Sequence, residues 1–244
     1  MNDIPIIIYT HTDFNDVFSI ALKRHEKYST NFQKIIFSNK IQEGYDTILY
    51  NDSHKYSTRL YTCLMKLNTV AEYILLNHDW VILYDHINKE KITNITKIMK
   101  ENDIHQVRLW FNGIPILDSY DRSSESNTYD ETKCIFNIPK NGAYQFTQQP
   151  TLWHLNTLKA ILLNHLEFDY RSIELSTYEH MLQYKNCFYY NNEEQFTPNG
   201  FFKSSIYPHI HITSSGKWII SYNLPYSQEM IDEYAIDVSI RGAL

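Results

Sequence analysis

The chain has 244 residues, 43% of them hydrophobic, with only 6 Gly and 7 Pro: enough for one sizeable core and too short for two. A formal net charge of −6, with no window of clustered Lys and Arg, argues against a surface built for nucleic acid. No stretch approaches the ~18 apolar residues of a membrane span, and the first residues lack the basic and apolar segments of a signal peptide, so a cytoplasmic protein without a membrane span is expected.

Ile4 to Tyr9 is a continuous apolar run suited to a strand buried on both faces, and it ends in polar Thr10-His11-Thr12-Asp13. Thr12 or Asp13 can cap a following helix, whose apolar face is traced by Phe14, Val17, Phe18, Ala21 and Leu22. Lys34 to Phe37 and Thr47 to Tyr50 read as strands, and Leu60, Leu64, Leu67 and Val70 mark a helix beginning near Ser57. The next apolar run, Tyr73 to Leu76, stops at Asn77-His78-Asp79 and resumes with Trp80 to Leu83. A helix over Ile87 to Glu101 and a strand over Gln106 to Phe111 complete a Rossmann-like half, residues 1–111, with parallel strands and right-handed crossovers.

The remainder is less regular. Ser119 to Lys133 reads as an exposed, mobile loop, with a lid as one use for it. A strand near Cys134 to Ile138, helices over Asn156 to Leu163 and Ser172 to Tyr184, and strands around Phe188, Ile210 and Trp218 follow. Glu194 to Lys203 reads as a second surface loop, and a short helix is expected in the tail from Ser227. The whole is expected to be one domain, with residues 112–225 as its second half and 226–244 as a tail. Cys63, Cys134 and Cys187 are odd in number and widely spaced, which fits reduced thiols.

Three polar sets fall at predicted strand ends: Thr10, His11 and Asp13; Asn51 and Asp52; Asn77, His78 and Asp79. In a parallel sheet such ends converge on one rim, where ligands bind. Asp13 and Asp52 are candidates for a base or ribose, and Asp79 for a phosphate. Tyr56 and Arg59 start the helix after the Asn51-Asp52 turn, where an arginine can touch a diphosphate. The glycine-rich dinucleotide fingerprint and the phosphate-binding loop are both missing, which disfavours Rossmann oxidoreductases and kinases. His209 and His211 alternate along a predicted strand and so face one side. Lys217, after Gly216, is a candidate point charge for a diphosphate.

Taken together, Ile6 to Asp13, Asp52 with Tyr56 and Arg59, Asn77-His78-Asp79, Gln149-Pro150-Thr151-Leu152-Trp153, and Tyr207-Pro208-His209-Ile210-His211 with Gly216-Lys217-Trp218 resemble small GT-A-type glycosyltransferases. The likeness is greatest to sugar-transferase-like proteins encoded by large DNA viruses and some bacteria, and it runs from about Ile4 to Asn223. The resemblance implies an α/β fold with a Rossmann-like mixed sheet flanked by helices. It also implies a nucleotide-sugar donor on the first half and a glycan acceptor on the second, and, if the protein is viral, the host cytoplasm as its location. The family's metal motif is Asp-x-Asp; here Asn77 and Asp79 stand in its two places, so Mn2+ or Mg2+ would be held by one carboxylate and a weaker amide. A late histidine completes the metal site in such enzymes, making His211, then His209, the candidates.

For an inverting transfer the resemblance places an acidic base near the helix at Ser172, with Glu174 first and Glu179 and Asp169 as alternatives. Gln149 is a candidate for a sugar contact and Trp153 for stacking. Three other readings stay open: a sugar-1-phosphate nucleotidyltransferase, a catalytically silent carbohydrate-binding scaffold and a metallophosphohydrolase. The nucleotidyltransferase needs a glycine-rich basic loop that Thr10 to Asp16 does not supply.

Overall fold

A computed structural model describes residues 4–109, 128–130, 134–138, 145–191, 195–197, 200–214, 216–219 and 226–242. Strand β1 (Ile6–Tyr9) is buried along its whole length, as three consecutive isoleucines demand. The chain leaves it through a 3₁₀ turn at Thr12–Phe14, where the His11 ring accepts the Asp13 N–H, and enters helix α1 (Asn15–Tyr28). Strands β2 (Lys34–Ser38) and β3 (Asp46–Leu49) precede α2 (Tyr56–Lys66). Strands β4 (Tyr73–His78) and β5 (Val81–Leu83) are separated only by Asp79 and Trp80. Helix α3 (Lys89–Glu101) starts at Asn88, whose side chain accepts the Lys91 N–H, and leads to β6 (Gln106–Arg108).

Beyond β6 come β7 (Thr128–Asp130), β8 (Ile135–Asn137), β9 (Thr151–His154), α4 (Leu155–Leu163), and two single-turn helices, α5 (Ile173–Ser176) and α6 (Tyr178–Met181). Strands β10 (Asn186–Tyr189), β11 (Gln195–Thr197), β12 (Phe201–Lys203), β13 (His209–His211), β14 (Thr213–Ser214) and β15 (Lys217–Trp218) follow, then α7 (Ser227–Tyr234). Nine of these strands form one mixed sheet in the order β3-β2-β1-β4-β9-β6-β10-β8-β7. Strands β1 to β4 are parallel, with Ile8 opposite both Ile36 and Asn77. β9 runs antiparallel between β4 and β6, so β6, and β10 beside it, point the same way as β1. A second, antiparallel sheet is ordered β11-β12-β13-β5, and β14 and β15 form a hairpin.

Helices cover both faces of the large sheet. On one, Phe18 of α1 and Ile92, Ile95 and Met99 of α3 pack on Ile6, Ile8, Leu75 and Val107; on the other, Leu60 and Leu64 of α2 and Leu158 and Ile161 of α4 pack on Ile7, Ile74, Leu76 and Trp153. Helix α7 is tied back to α1 by Arg24, which is buried and reaches Glu233 at 2.5 Å. Among the described residues no helix is long and apolar enough to cross a membrane.

The second half departs from the sequence reading in three places. Thr151 to His154 is a central strand, and its neighbours β4 and β6 account for the buried Trp153. The helix expected over Ser172 to Tyr184 breaks at Thr177, whose hydroxyl bonds the Ile173 carbonyl at 2.7 Å and competes with the helical ladder. The expected loop from Glu194 to Lys203 holds the β11–β12 hairpin, with Gly200 at φ +86 as its left-handed turn residue. Of the Ser119 to Lys133 segment only β7 is described, and the lid expectation lies outside the described residues.

Leu75 sits on the strand that carries the polar site and is fully buried. Leu75→Ala should lower stability by about 2–5 kcal/mol in urea unfolding, whereas Ile41→Ala, at a position 72% exposed, should change it by less than about 0.5 kcal/mol. Equal effects would contradict the packing described.

Candidate functional site

The carboxyl ends of β1 and β4 open into a cavity of about 1130 Å³. Because the two strands are parallel neighbours, Thr10 and Asp79 leave them side by side. The Asp79 N–H extends the ladder to the Tyr9 carbonyl at 3.1 Å, and the Thr10 hydroxyl donates to Asp79 Oδ2 at 2.7 Å. The backbone N–H groups of His11 and Trp80 also serve this carboxylate. Asp79 is only 6% exposed, and burial pushes its pKa up to about 7 despite these donors and the positive charge of Arg241.

One wall is a polar lattice. His11 Nδ1 accepts the Asp13 N–H, so its other nitrogen donates to Asp52 Oδ1 at 3.0 Å. Asn39, at the end of β2, donates to Asp52 Oδ2 and to the Thr12 hydroxyl, each at 2.8 Å. Desolvation pushes the Asp52 pKa up, but Asn39, His11 and Arg59 outweigh it and hold the pKa below the ordinary value. Arg59 is turned to the backbone: it donates to the carbonyls of Asp52 and of His54, the latter at 2.7 Å.

The opposite wall is aromatic. The Tyr56 hydroxyl meets His78 Nε2 at 2.8 Å, and Trp80 Nε1 donates to the Tyr170 hydroxyl at 2.8 Å. His211 of β13 lies edge-on to Trp80, with ring centroids 4.4 Å apart, and its buried Nε2 has no hydrogen-bond partner. Burial holds the His211 pKa well below the ordinary histidine value, which favours the neutral ring. Gly200 makes room for it, since a Cβ there would stand 3.0 Å from His211 Cβ.

Of the residues singled out from sequence, Thr10, His11, Asp13, Tyr56, Arg59, His78, Asp79 and His211 line the cavity. Asp52 braces His11 from behind. The others lie elsewhere. Asn77 belongs to the core face of β4, where its amide meets His25 of α1 at 3.2 Å. His209 stacks on Phe202, with centroids 4.4 Å apart, and bonds the Tyr207 carbonyl. Lys217 is exposed on β15, and Asp169 pairs with Lys55 at 3.0 Å. Glu179 lies in the first turn of α6, outside the cavity, and Gln149 precedes β9 with its Oε1 buried and unpartnered. The Glu174 carboxylate accepts the Gln148 N–H at 2.8 Å and does not line the cavity.

Several contributors escaped the sequence reading. Asn39 obeys the same strand-end rule as Thr10 and Asp79 and could have been found by it. Arg241 could not. It reaches from the tail to grip the Asp16 carboxylate at 2.6 and 2.5 Å, with its guanidinium 4.6 Å from the centre of the Phe14 ring.

Among the described residues no three His, Cys, Asp or Glu side chains gather closely enough to hold a metal by themselves. Asp79 and His211 do line one cavity. A hard divalent cation, which keeps waters and takes phosphate oxygens, would need a ligand to supply most of its donors there.

No protein-family model matches the chain, and no curated protein matches it. Among solved structures it is similar to residues 1–349 of S. aureus TarS, at 14% identity and a TM-score of 0.44, with 76% of this chain and 56% of that one covered. It is also similar to the mannosyltransferase PcManGT of Pyrobaculum calidifontis, solved with GDP-Man and Mn2+, at 8% identity and a TM-score of 0.40, covering 66% and 48%. A third is the 4-diphosphocytidyl-2C-methyl-D-erythritol synthase of Anaerococcus prevotii, at 12% identity and a TM-score of 0.43, covering 77% and 87%. The chain thus spans about half the length of the first two.

The raised pKa of Asp79 sets a pH signature. Between its unfolded value, near 4, and about 7, the folded state holds the extra proton, so this group's contribution to stability falls as pH rises through that window. Relative to the parent, Asp79→Asn should therefore gain melting temperature as pH rises from 4 to 8. A difference independent of pH would give Asp79 an ordinary acidity and contradict its buried setting.

Proposed function

We propose that the chain is a GT-A-type glycosyltransferase that moves a sugar from a nucleoside-diphosphate sugar to a hydroxyl of a glycan, with inversion and with help from Mn2+ or Mg2+. The observation that carries this reading is the buried Asp79 carboxylate at a parallel strand end, sharing one cavity with His211, whose Nε2 has no hydrogen-bond partner. Such a carboxylate is a liability for folding, and perturbed acids in clefts concentrate at working sites.

The cavity, at about 1130 Å³, exceeds the ~300–1,000 Å³ of ordinary small-molecule pockets and suits an elongated ligand. In this reading the nucleoside lies along the His11 and Asp13 wall, where Asp52 and Asn39 hold the donors and acceptors in place. The diphosphate lies over Asp79, and the sugar lies against the aromatic wall of Tyr56, Trp80 and Tyr170. Asp79 and His211 would hold the cation, whose chemistry when bound is to stabilise charge on the leaving diphosphate. His211 is neutral and can ligate without first losing a proton. Asp79 must lose one, so cation affinity rises as pH passes about 7. Glu174, which accepts the Gln148 N–H, remains the first candidate to take the acceptor hydroxyl's proton in this reading, with Glu179 and Asp169 as alternatives.

A thermal-shift series with UDP-, GDP-, dTDP- and CMP-sugars, each with MnCl2 or with EDTA, tests the reading. A donor at 100 times its Kd stabilises by about 2.7 kcal/mol, worth about 2–4 °C per kcal/mol for a chain of this size. One nucleotide series should raise the melting temperature in Mn2+ by several degrees and by less in EDTA. Asp79→Ala and His211→Ala should each erase the difference between Mn2+ and EDTA. Shifts unaffected by either variant would remove the cation from the account, and no shift with any donor would favour a scaffold that binds carbohydrate without turnover.

A further inference from the structure

The hydrogen-bond polarity of the aromatic wall can be worked out from the protein alone. His78 Nδ1 lies 2.8 Å from the Gln148 carbonyl oxygen. A carbonyl only accepts, so Nδ1 carries the ring proton. The ring is only 1% exposed, and its two nitrogens meet a carbonyl and a phenol and no carboxylate, a setting that favours the neutral ring with a lone pair on Nε2. The group facing that lone pair is the Tyr56 hydroxyl at 2.8 Å. A phenol has one proton, and here it points at His78. What remains on Tyr56 Oη is acceptor capacity with no proton to give.

The direction of this chain is set at its buried end. The Gln148 N–H donates to Glu174 at 2.8 Å, and the Gln148 side-chain amide donates to the Tyr170 carbonyl, so the residue whose carbonyl faces His78 is held through both its backbone and its side chain. Glu174 also accepts the Thr147 hydroxyl. The Tyr56 and His78 protons therefore both point away from the cavity, toward the buried Gln148 carbonyl. Hydrogen bonds aligned in one sense polarise and strengthen one another. The Tyr56 ring is held edge-on between Tyr9 and Tyr170, at 5.1 and 5.0 Å between centroids, so its oxygen is fixed in place.

We propose that Tyr56 Oη is an obligate hydrogen-bond acceptor in the cavity wall that selects a ligand offering a neutral hydroxyl at that point, and that His78 is the positioning residue that sets this polarity. The inference rests on the donor-sugar reading and refines it by assigning one sugar hydroxyl a protein partner. An ionised phosphate oxygen has no proton to donate and is rejected there. That rejection keeps the diphosphate at the Asp79 end of the cavity and the sugar at the Tyr56 end.

Two measurements test it. Nitrogen-15 spectroscopy of the His78 ring in the free protein at pH 7 should show a proton on Nδ1 and an unprotonated, hydrogen-bonded Nε2, whose resonance moves in Tyr56→Phe. A proton on Nε2 would overturn the proposal, whatever the protein binds. The second uses the nucleotide sugar with the largest thermal shift and its monodeoxy sugar analogues. One analogue should bind the parent about tenfold more weakly, the loss of one good hydrogen bond, and bind Tyr56→Phe no worse than the complete sugar does. Analogue losses that are the same in parent and variant would overturn the hydroxyl contact. If the Nδ1–H form is found and no nucleotide sugar binds, the donor reading fails, and the same comparison with free monosaccharides and their deoxy forms decides the contact.

Discussion

The site depends on one bond, the 2.7 Å contact from the Thr10 hydroxyl to the Asp79 carboxylate, which spans two parallel strands at their carboxyl ends. Parallel pairing in register brings the two residues together, because Tyr9 stands opposite His78 and the next residue on each strand enters the cavity floor. A carboxylate this deeply buried needs donors, and Thr10 with the His11 and Trp80 N–H groups supplies them. The donors leave the acid perturbed all the same. An apolar residue would suit folding better at this position, which supports the proposal that the acid serves a ligand.

The electrostatics around that acid follow from burial. His78 and His211 flank the cavity as neutral rings because desolvation disfavours their charged forms. They contribute lone pairs and fixed hydrogen bonds, and the positive charge that reaches Asp79 through space belongs to Arg241. Arg241 is held by Asp16 at the start of α1, and the neighbouring Gly242 carbonyl accepts the Trp218 N–H at 3.0 Å. The tail therefore joins the first helix to the β14–β15 hairpin at the rim of the cavity. A buried carboxylate, neutral imidazoles and a tethered guanidinium around one cavity support the proposed donor site.

Much of the first half was legible because its signals are local. Runs such as Ile6 to Tyr9 and Tyr73 to Leu76 can only be buried strands, and the polar residues closing them lie where parallel topology gathers them. The second half hid its strands for physical reasons. Thr151 to His154 is four residues long and runs straight into a helix, so it carries no periodicity of its own, and Phe201 to Lys203 is disguised by the glycine turn before it. The helix break at Thr177 depends on a side chain bonding its own backbone, which spacing of apolar residues does not report.

The Asn77 and Asp79 pair misled for a related reason. Strand alternation puts positions 77 and 79 on one face only while the strand continues. β4 ends at His78, and Asp79 turns toward Thr10 while Asn77 stays in the core against His25. Contacts such as that of Arg241 with Asp16 join residues 225 positions apart and leave no local trace.

The most direct measurement of the central claim is a crystal of the protein grown with MnCl2 and the nucleoside diphosphate that shifts its melting temperature most, with anomalous scattering recorded at the manganese edge. The account predicts an anomalous peak in the cavity touching the Asp79 carboxylate and His211 Nε2, with the diphosphate oxygens completing its shell. A nucleotide bound elsewhere, or a manganese peak away from Asp79, would contradict it.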